Sequence, residues 1–126
     1  MKSVLLLFAL LAFVAVPGCV HAPPNLSPAG IAAFNGTRVI KALDVIRDIA
    51  IDANAQQPAL ISTATTRKIV IFHESALRTI KEVPGGWVTT VIAGLTELAR
   101  NLPPQERQQL APYIVLAQTV LREVAR

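Results

Sequence analysis

A chain of 126 residues accommodates one domain with enough residues for a single core, and its apolar fraction of 52% is raised by an N-terminal apolar block and by many alanines. Its net charge of +4 comes from twelve Lys and Arg scattered among eight acids, with no basic stripe of the kind that tracks a nucleic-acid backbone. With a single cysteine there is no internal disulfide and no cysteine-based structural metal site, so the core must carry the fold.

The chain opens Met1-Lys2-Ser3, continues as an apolar block from Val4 to Val16, and reaches Pro17-Gly18-Cys19. A cation, a short apolar core and small residues before the cysteine are the parts of a secretory signal. The block is shorter than the roughly 20 residues a membrane-spanning helix needs. Val16-Pro17-Gly18-Cys19 resembles the cleavage box of bacterial lipoprotein signal peptides, in which Leu, then Ala or Ser, then Gly or Ala precede Cys. Gly18 and Cys19 match, Val16 is an accepted apolar variant, and Pro17 stands where Ala or Ser is usual. The resemblance covers the N-terminal segment alone. It implies that signal peptidase II removes residues 1–18 and that Cys19 becomes a mature N-terminus carrying diacylglyceryl on its sulfur and a further acyl chain. The protein would then be lipid-anchored in the cell membrane or outer membrane, facing the periplasm or the cell exterior. Two other readings are ordinary cleavage after Val20-His21-Ala22, with Pro23 directly behind the cut, and an uncleaved anchor.

Residues 19–26 contain Pro23-Pro24 and show no apolar period, so they read as an extended tether. At about 3.1 Å per residue it reaches roughly 25 Å. Residues 27–126 read as the folded domain, with a net charge of +3 once Lys2 is lost with the signal.

Ser27-Pro28 is a helix start, because the serine oxygen caps free N–H groups and proline at the first helical position forfeits no hydrogen bond. Ile31, Phe34, Val39, Ile40, Leu43, Ile46 and Ala50 recur at helical steps, while Lys41, Asp44, Asp48 and Asp52 take another face. Asn54 to Pro58 ends this helix. Gly36 inside it predicts the close approach of a neighbouring helix, since glycine there costs about 1 kcal/mol against alanine.

Ser62 caps a second segment that runs to Val83, with Ile69, Phe72, His73, Ala76, Ile80 and Val83 inside and Arg67, Glu74, Arg78 and Lys81 outside. Branched Thr63, Thr65, Thr66, Ile69, Val70 and Ile71 favour a strand. The helical interval of the charges and the lack of sustained alternation decide for a helix. Pro84-Gly85-Gly86 breaks the chain. From Trp87 onward, Val88, Val91, Leu95, Leu98 and Leu102 recur at steps of three, four, three and four and form a helix seam, closed by Asn101 to Pro104. In the last helix Gln105 and Glu106 suit the positive first turn. Leu110, Tyr113, Ile114, Ala117, Val120, Leu121 and Val124 form its buried side, and Pro112 is expected to kink it or split off its first turns. The fold class is all-α: a small antiparallel bundle of four helices, with Trp87 placed to plug one end.

Chemical motifs are few. His73-Glu74 begins the zinc-protease helix pattern, but position 77 is Leu where the second histidine belongs. His73 is therefore expected to be partly buried and hydrogen-bonded. Asp44, Asp48 and Asp52 read as a solvated face, since oxygen-ligand cation sites usually gather on a loop. Pro84-Gly85-Gly86 lacks the lysine and strand of a phosphate-binding loop, and Asn35-Gly36-Thr37 is a glycosylation sequon inside a helix. No catalytic residue, metal or cofactor is expected. The expectation is a membrane-anchored envelope lipoprotein acting as a non-catalytic binding or structural module, with membrane lipid at Cys19, a protein or envelope partner, and Trp87, Tyr113 and exposed arginines as contacts. The alternatives are a small ligand carrier or hydrolase whose site forms only in three dimensions, and a bacteriophage-encoded lipoprotein that modifies its host's envelope.

Overall fold

The cap at Ser27 sets the start of the first helix: its Oγ accepts from the Gly30 N–H at 3.1 Å, and its carbonyl accepts from the Ile31 N–H at 2.9 Å. The computed structural model describes residues 25–83 and 85–126, in four helices. These are α1 (Pro28–Ala55), α2 (Thr63–Glu82), α3 (Trp87–Arg100) and α4 (Pro104–Val124). The expected signal peptide, the Val16-Pro17-Gly18-Cys19 box and the tether up to Pro24 lie outside the described residues. The chain divides into two units, Met1–Asn35 and Gly36–Arg126. In the first, Leu26 and Ile31 are exposed, at 37% and 39%, so Ile31 does not join the core seam expected of it.

The second unit is an all-α bundle, and the helical reading of residues 62–83 holds against their branched side chains. Ser62 Oγ accepts from the Thr65 N–H at 3.2 Å, which starts α2 where the sequence placed it. Each helix buries a stripe: Val39, Leu43, Ile46 and Ala50 from α1, Ile69 and Ala76 from α2, Val91, Leu95 and Leu98 from α3, and Leu110, Ile114, Ala117 and Leu121 from α4. Ile61 and Leu102, from the connections, are buried as well. Removing this apolar surface from water is the dominant stabilising term, because helices in proteins are held mainly by packing of their apolar faces rather than by intrinsic propensity.

Contacts far apart in sequence fix the topology. Gly36 on α1 meets Ile80 near the end of α2, and Arg38 Nη2 reaches Glu123 Oε2 of α4 at 2.7 Å. At the opposite end, Asn54 Nδ2 donates to the Ile61 carbonyl at 2.9 Å, and Glu106 of α4 binds the start of α2. The helices therefore alternate up and down, with α3 packed against both α2 and α4. Two glycines let backbones approach. A Cβ on Gly36 would lie 3.1 Å from Ile80 Cγ2, and one on Gly94 would lie 2.9 Å from Phe72 Cε2. The first is the close approach the sequence suggested; the second is a tighter contact between α2 and α3.

Pro112 does not split α4, which is continuous from Pro104 to Val124. Pro112 and Gln108, whose carbonyl loses its helical donor, are both exposed. Water can satisfy that carbonyl, so the lost bond costs too little to end the helix.

Candidate functional site

The residues that combine chemical character with burial converge between α1 and α2. Asp44 and Arg47 lie one turn apart on α1, and His73 projects from α2 into the same layer with only 4% of its surface exposed. His73 Nε2 lies 2.5 Å from Asp44 Oδ1 and 3.3 Å from Arg47 Nη1. At the shorter distance the carboxylate must receive a proton, so Nε2 is the donor to Asp44 and has no lone pair left for Arg47. Arg47 instead serves the carboxylates: its Nη1 is 3.5 Å from Asp44 Oδ1 and its Nε donates to Asp48 Oδ1 at 2.9 Å. The guanidinium is held above its ordinary pKa; the hydrogen bond to Asp48 acts most strongly, burial opposes it, and the charges of Asp48 and Asp44 add to it.

Sequence spacing placed His73 inside and paired, and so it is. Asp44 departs from the solvated face expected of it and becomes the anchor of the buried histidine, whereas Asp48 and Asp52 remain exposed. Glu74 is exposed on the outer side of α2. Among the described residues no group of three His, Cys, Asp or Glu side chains is arranged to hold a metal ion.

A second polar cluster ties the starts of α2 and α4. Glu106 Oε1 accepts from the Ser62 N–H at 2.7 Å, and Oε2 accepts from the hydroxyl of Thr65, which is 2% exposed. Burial, the largest single influence, raises the Glu106 pKa, but the hydrogen bonds from Thr65 and Ser62, aided by the charge of Lys68, outweigh it and hold the carboxyl below the usual glutamate value. Because the folded value is depressed, the stabilisation is present above the unfolded-state pKa and fades as pH falls through the folded one. Glu106→Gln should therefore lower the urea midpoint at neutral pH and narrow the gap between neutral pH and about pH 3 relative to the parent protein. An unchanged pH profile would remove Glu106 from the account.

Trp87 and Tyr113 are both core residues, 6% and 5% exposed, and so are not the exposed partner contacts expected of them; for Tyr113 this agrees with its place on the expected buried side of the last helix. Trp87 opens the Val91–Leu95–Leu98 seam, and Tyr113 stands in the buried stripe of α4; burial raises its phenol pKa. Large aromatic side chains suit an interface and a core equally, and packing the four stripes together draws both inward. An open depression at the first turns of α4 is lined by Gln105, Gln108 and Gln109, side chains with no titratable group. No described helix is long and apolar enough to cross a membrane. The chain matches no protein-family model, and no significant similarity links it to a curated protein or to a solved structure.

Proposed function

We propose that this protein is a lipid-anchored module of a bacterial cell envelope, in which Cys19 attaches to the membrane and the helical bundle acts as a non-catalytic binding or structural element. The observation that carries the reading is the order of parts in the sequence: Lys2, the apolar block Val4–Val16, Gly18-Cys19, a proline-containing tether and then a folded domain. Two acyl chains hold a protein stably where one does so only marginally, at about 0.8 kcal/mol per buried CH₂. The bundle's chemistry-bearing groups support the non-catalytic half. His73 is the lone histidine of the folded domain, and its Nε2 is engaged with Asp44 in tying α1 to α2. With Nε2 donating, the basic nitrogen is Nδ1, and a ring only 4% exposed gives a substrate proton little access to it.

Tethering then supplies what the module needs, a high effective concentration toward other envelope components. Two variants separate this reading from an enzyme when each is asked to complement deletion of the gene. Cys19→Ser should fold and fail to complement, while His73→Ala, provided it is stable at the growth temperature, should complement. A fully active untethered protein beside an inactive, folded His73→Ala protein would replace the module with a catalyst.

A further inference from the structure

The charges of the Gly36–Arg126 unit are unevenly shared between its two ends. At the end where Gly36 meets Ile80 and Arg38 pairs with Glu123 lie six cations, Arg38, Lys41, Arg78, Lys81, Arg122 and Arg126, against two acids, Glu82 and Glu123. All six cations except Arg38 are exposed. At the opposite end Arg67, Lys68, Arg100 and Arg107 are balanced by four acids within 48–52 and 97–106. Arg107 is further engaged there, donating to the Arg100 and Leu102 carbonyls. Lys81 and Arg122 occupy the last turns of α2 and α4, where the helix dipole favours a cation, which accounts for two of the six. Lys41, well inside α1, and Arg78 have no such reason to be there.

The basic end is also the end at which the chain enters this unit. From Pro17 to Thr37 the sequence contains no Asp, Glu, Lys or Arg, so apart from His21 the segment leading from Cys19 has no basic or acidic side chain until it reaches Arg38. Leu26 and Ile31 within it are exposed. A lead without Asp, Glu, Lys or Arg followed by a crown of exposed cations is the charge order of a segment that passes from acyl chains to headgroups.

We propose that this end of the bundle is a membrane-apposed surface that takes anionic lipid headgroups. The inference rests on the anchored reading and deepens it: the lipid supplies attachment, and the cations set which end meets the bilayer and how closely. A tether of roughly 25 Å would allow the bundle to stand off. Attraction to anionic lipid acts within a Debye length, ~8 Å at physiological ionic strength, so contact would be favoured on anionic bilayers and not on neutral ones.

Trp87 is the single tryptophan of the chain and opens α3 at this same end, which makes it an internal reporter. The full-length expressed protein, purified from membranes, would be reconstituted into vesicles of phosphatidylcholine alone or of phosphatidylcholine with phosphatidylglycerol, each with a dansyl-labelled headgroup. Energy transfer from Trp87 should be higher in the anionic vesicles, and the difference should vanish in 1 M salt, where the Debye length is ~3 Å. It should also vanish when Lys41→Gln, Arg78→Gln, Lys81→Gln and Arg122→Gln are combined, and persist when Arg67→Gln, Lys68→Gln and Arg100→Gln are combined. The salt arm needs no variant, so it stands even if a combination misfolds. Equal transfer in both vesicle types, with the protein floating with both, overturns the surface and leaves the anchor intact. Flotation with anionic vesicles only would support the surface and remove the anchor; flotation with neither would remove both.

Discussion

Leu95→Ala should lower the free energy of unfolding by about 2–5 kcal/mol, read as a shift of the urea midpoint at constant slope. Leu95 is fully buried on α3, in the seam with Trp87, Val91 and Leu98, and α3 packs against both α2 and α4. The cavity left by the deleted methyl groups would be bounded by three helices, so no single shift could close it. Lys81→Ala, on an exposed site, should change stability by less than about 0.5 kcal/mol and so provides the baseline. A loss at Leu95 no larger than that baseline would mean that the bundle does not pack as described.

Asp44→Ala should cost roughly 1–3 kcal/mol, because it leaves the Nε2–H of a buried His73 without its acceptor. The Asp44 side chain is 36% exposed, so its own desolvation is modest and the penalty falls mainly on the histidine. The pairing gives this prediction a sharper form. In a background of His73→Leu, an apolar side chain that needs no acceptor, the further change Asp44→Ala should cost much less than it does alone. Additive losses would show that the two residues stabilise the protein independently, and the interhelix tie would have to be given up.

The number, type and rough bounds of the helices were legible in the sequence because they depend on local order: the caps at Ser27 and Ser62, the breaks at Pro58 and Pro84-Gly85-Gly86, and apolar residues at three- and four-residue steps. Spacing along one helix says which residues share a face. It does not say which face of another helix they will meet, and the polar ties are all of that second kind. Asp44 and His73 are 29 residues apart and Thr65 and Glu106 are 41 apart, so neither pairing leaves a local trace. Asp44 consequently read as one of three solvated aspartates, and Glu106 only as a favourable charge in a first turn.

Two further outcomes have local reasons. The missing N–H of Pro112 predicts a kink or a split, and the helix is not split: Gln108 and Pro112 are exposed, which allows water to take the place of the lost bond. Trp87 carried a warning in its spacing: it stands four residues before Val91 and eight before Leu95, in register with a buried seam, and so belonged with the core. Tyr113 belongs to the buried side that the spacing of the last helix predicts, and its burial agrees with that reading rather than with a partner contact.

If Cys19 joins this bundle to a membrane, the mature protein itself records it. Cells expressing the full chain would be fed labelled palmitate, and the protein isolated for intact mass and N-terminal analysis beside its Cys19→Ser variant. The mature chain should begin at Cys19 and carry acyl chains and label, and the variant should persist as an unlabelled, unprocessed precursor. A parent protein cut after Ala22 or left uncut, or a Cys19→Ser variant processed and labelled like the parent, would contradict attachment through Cys19.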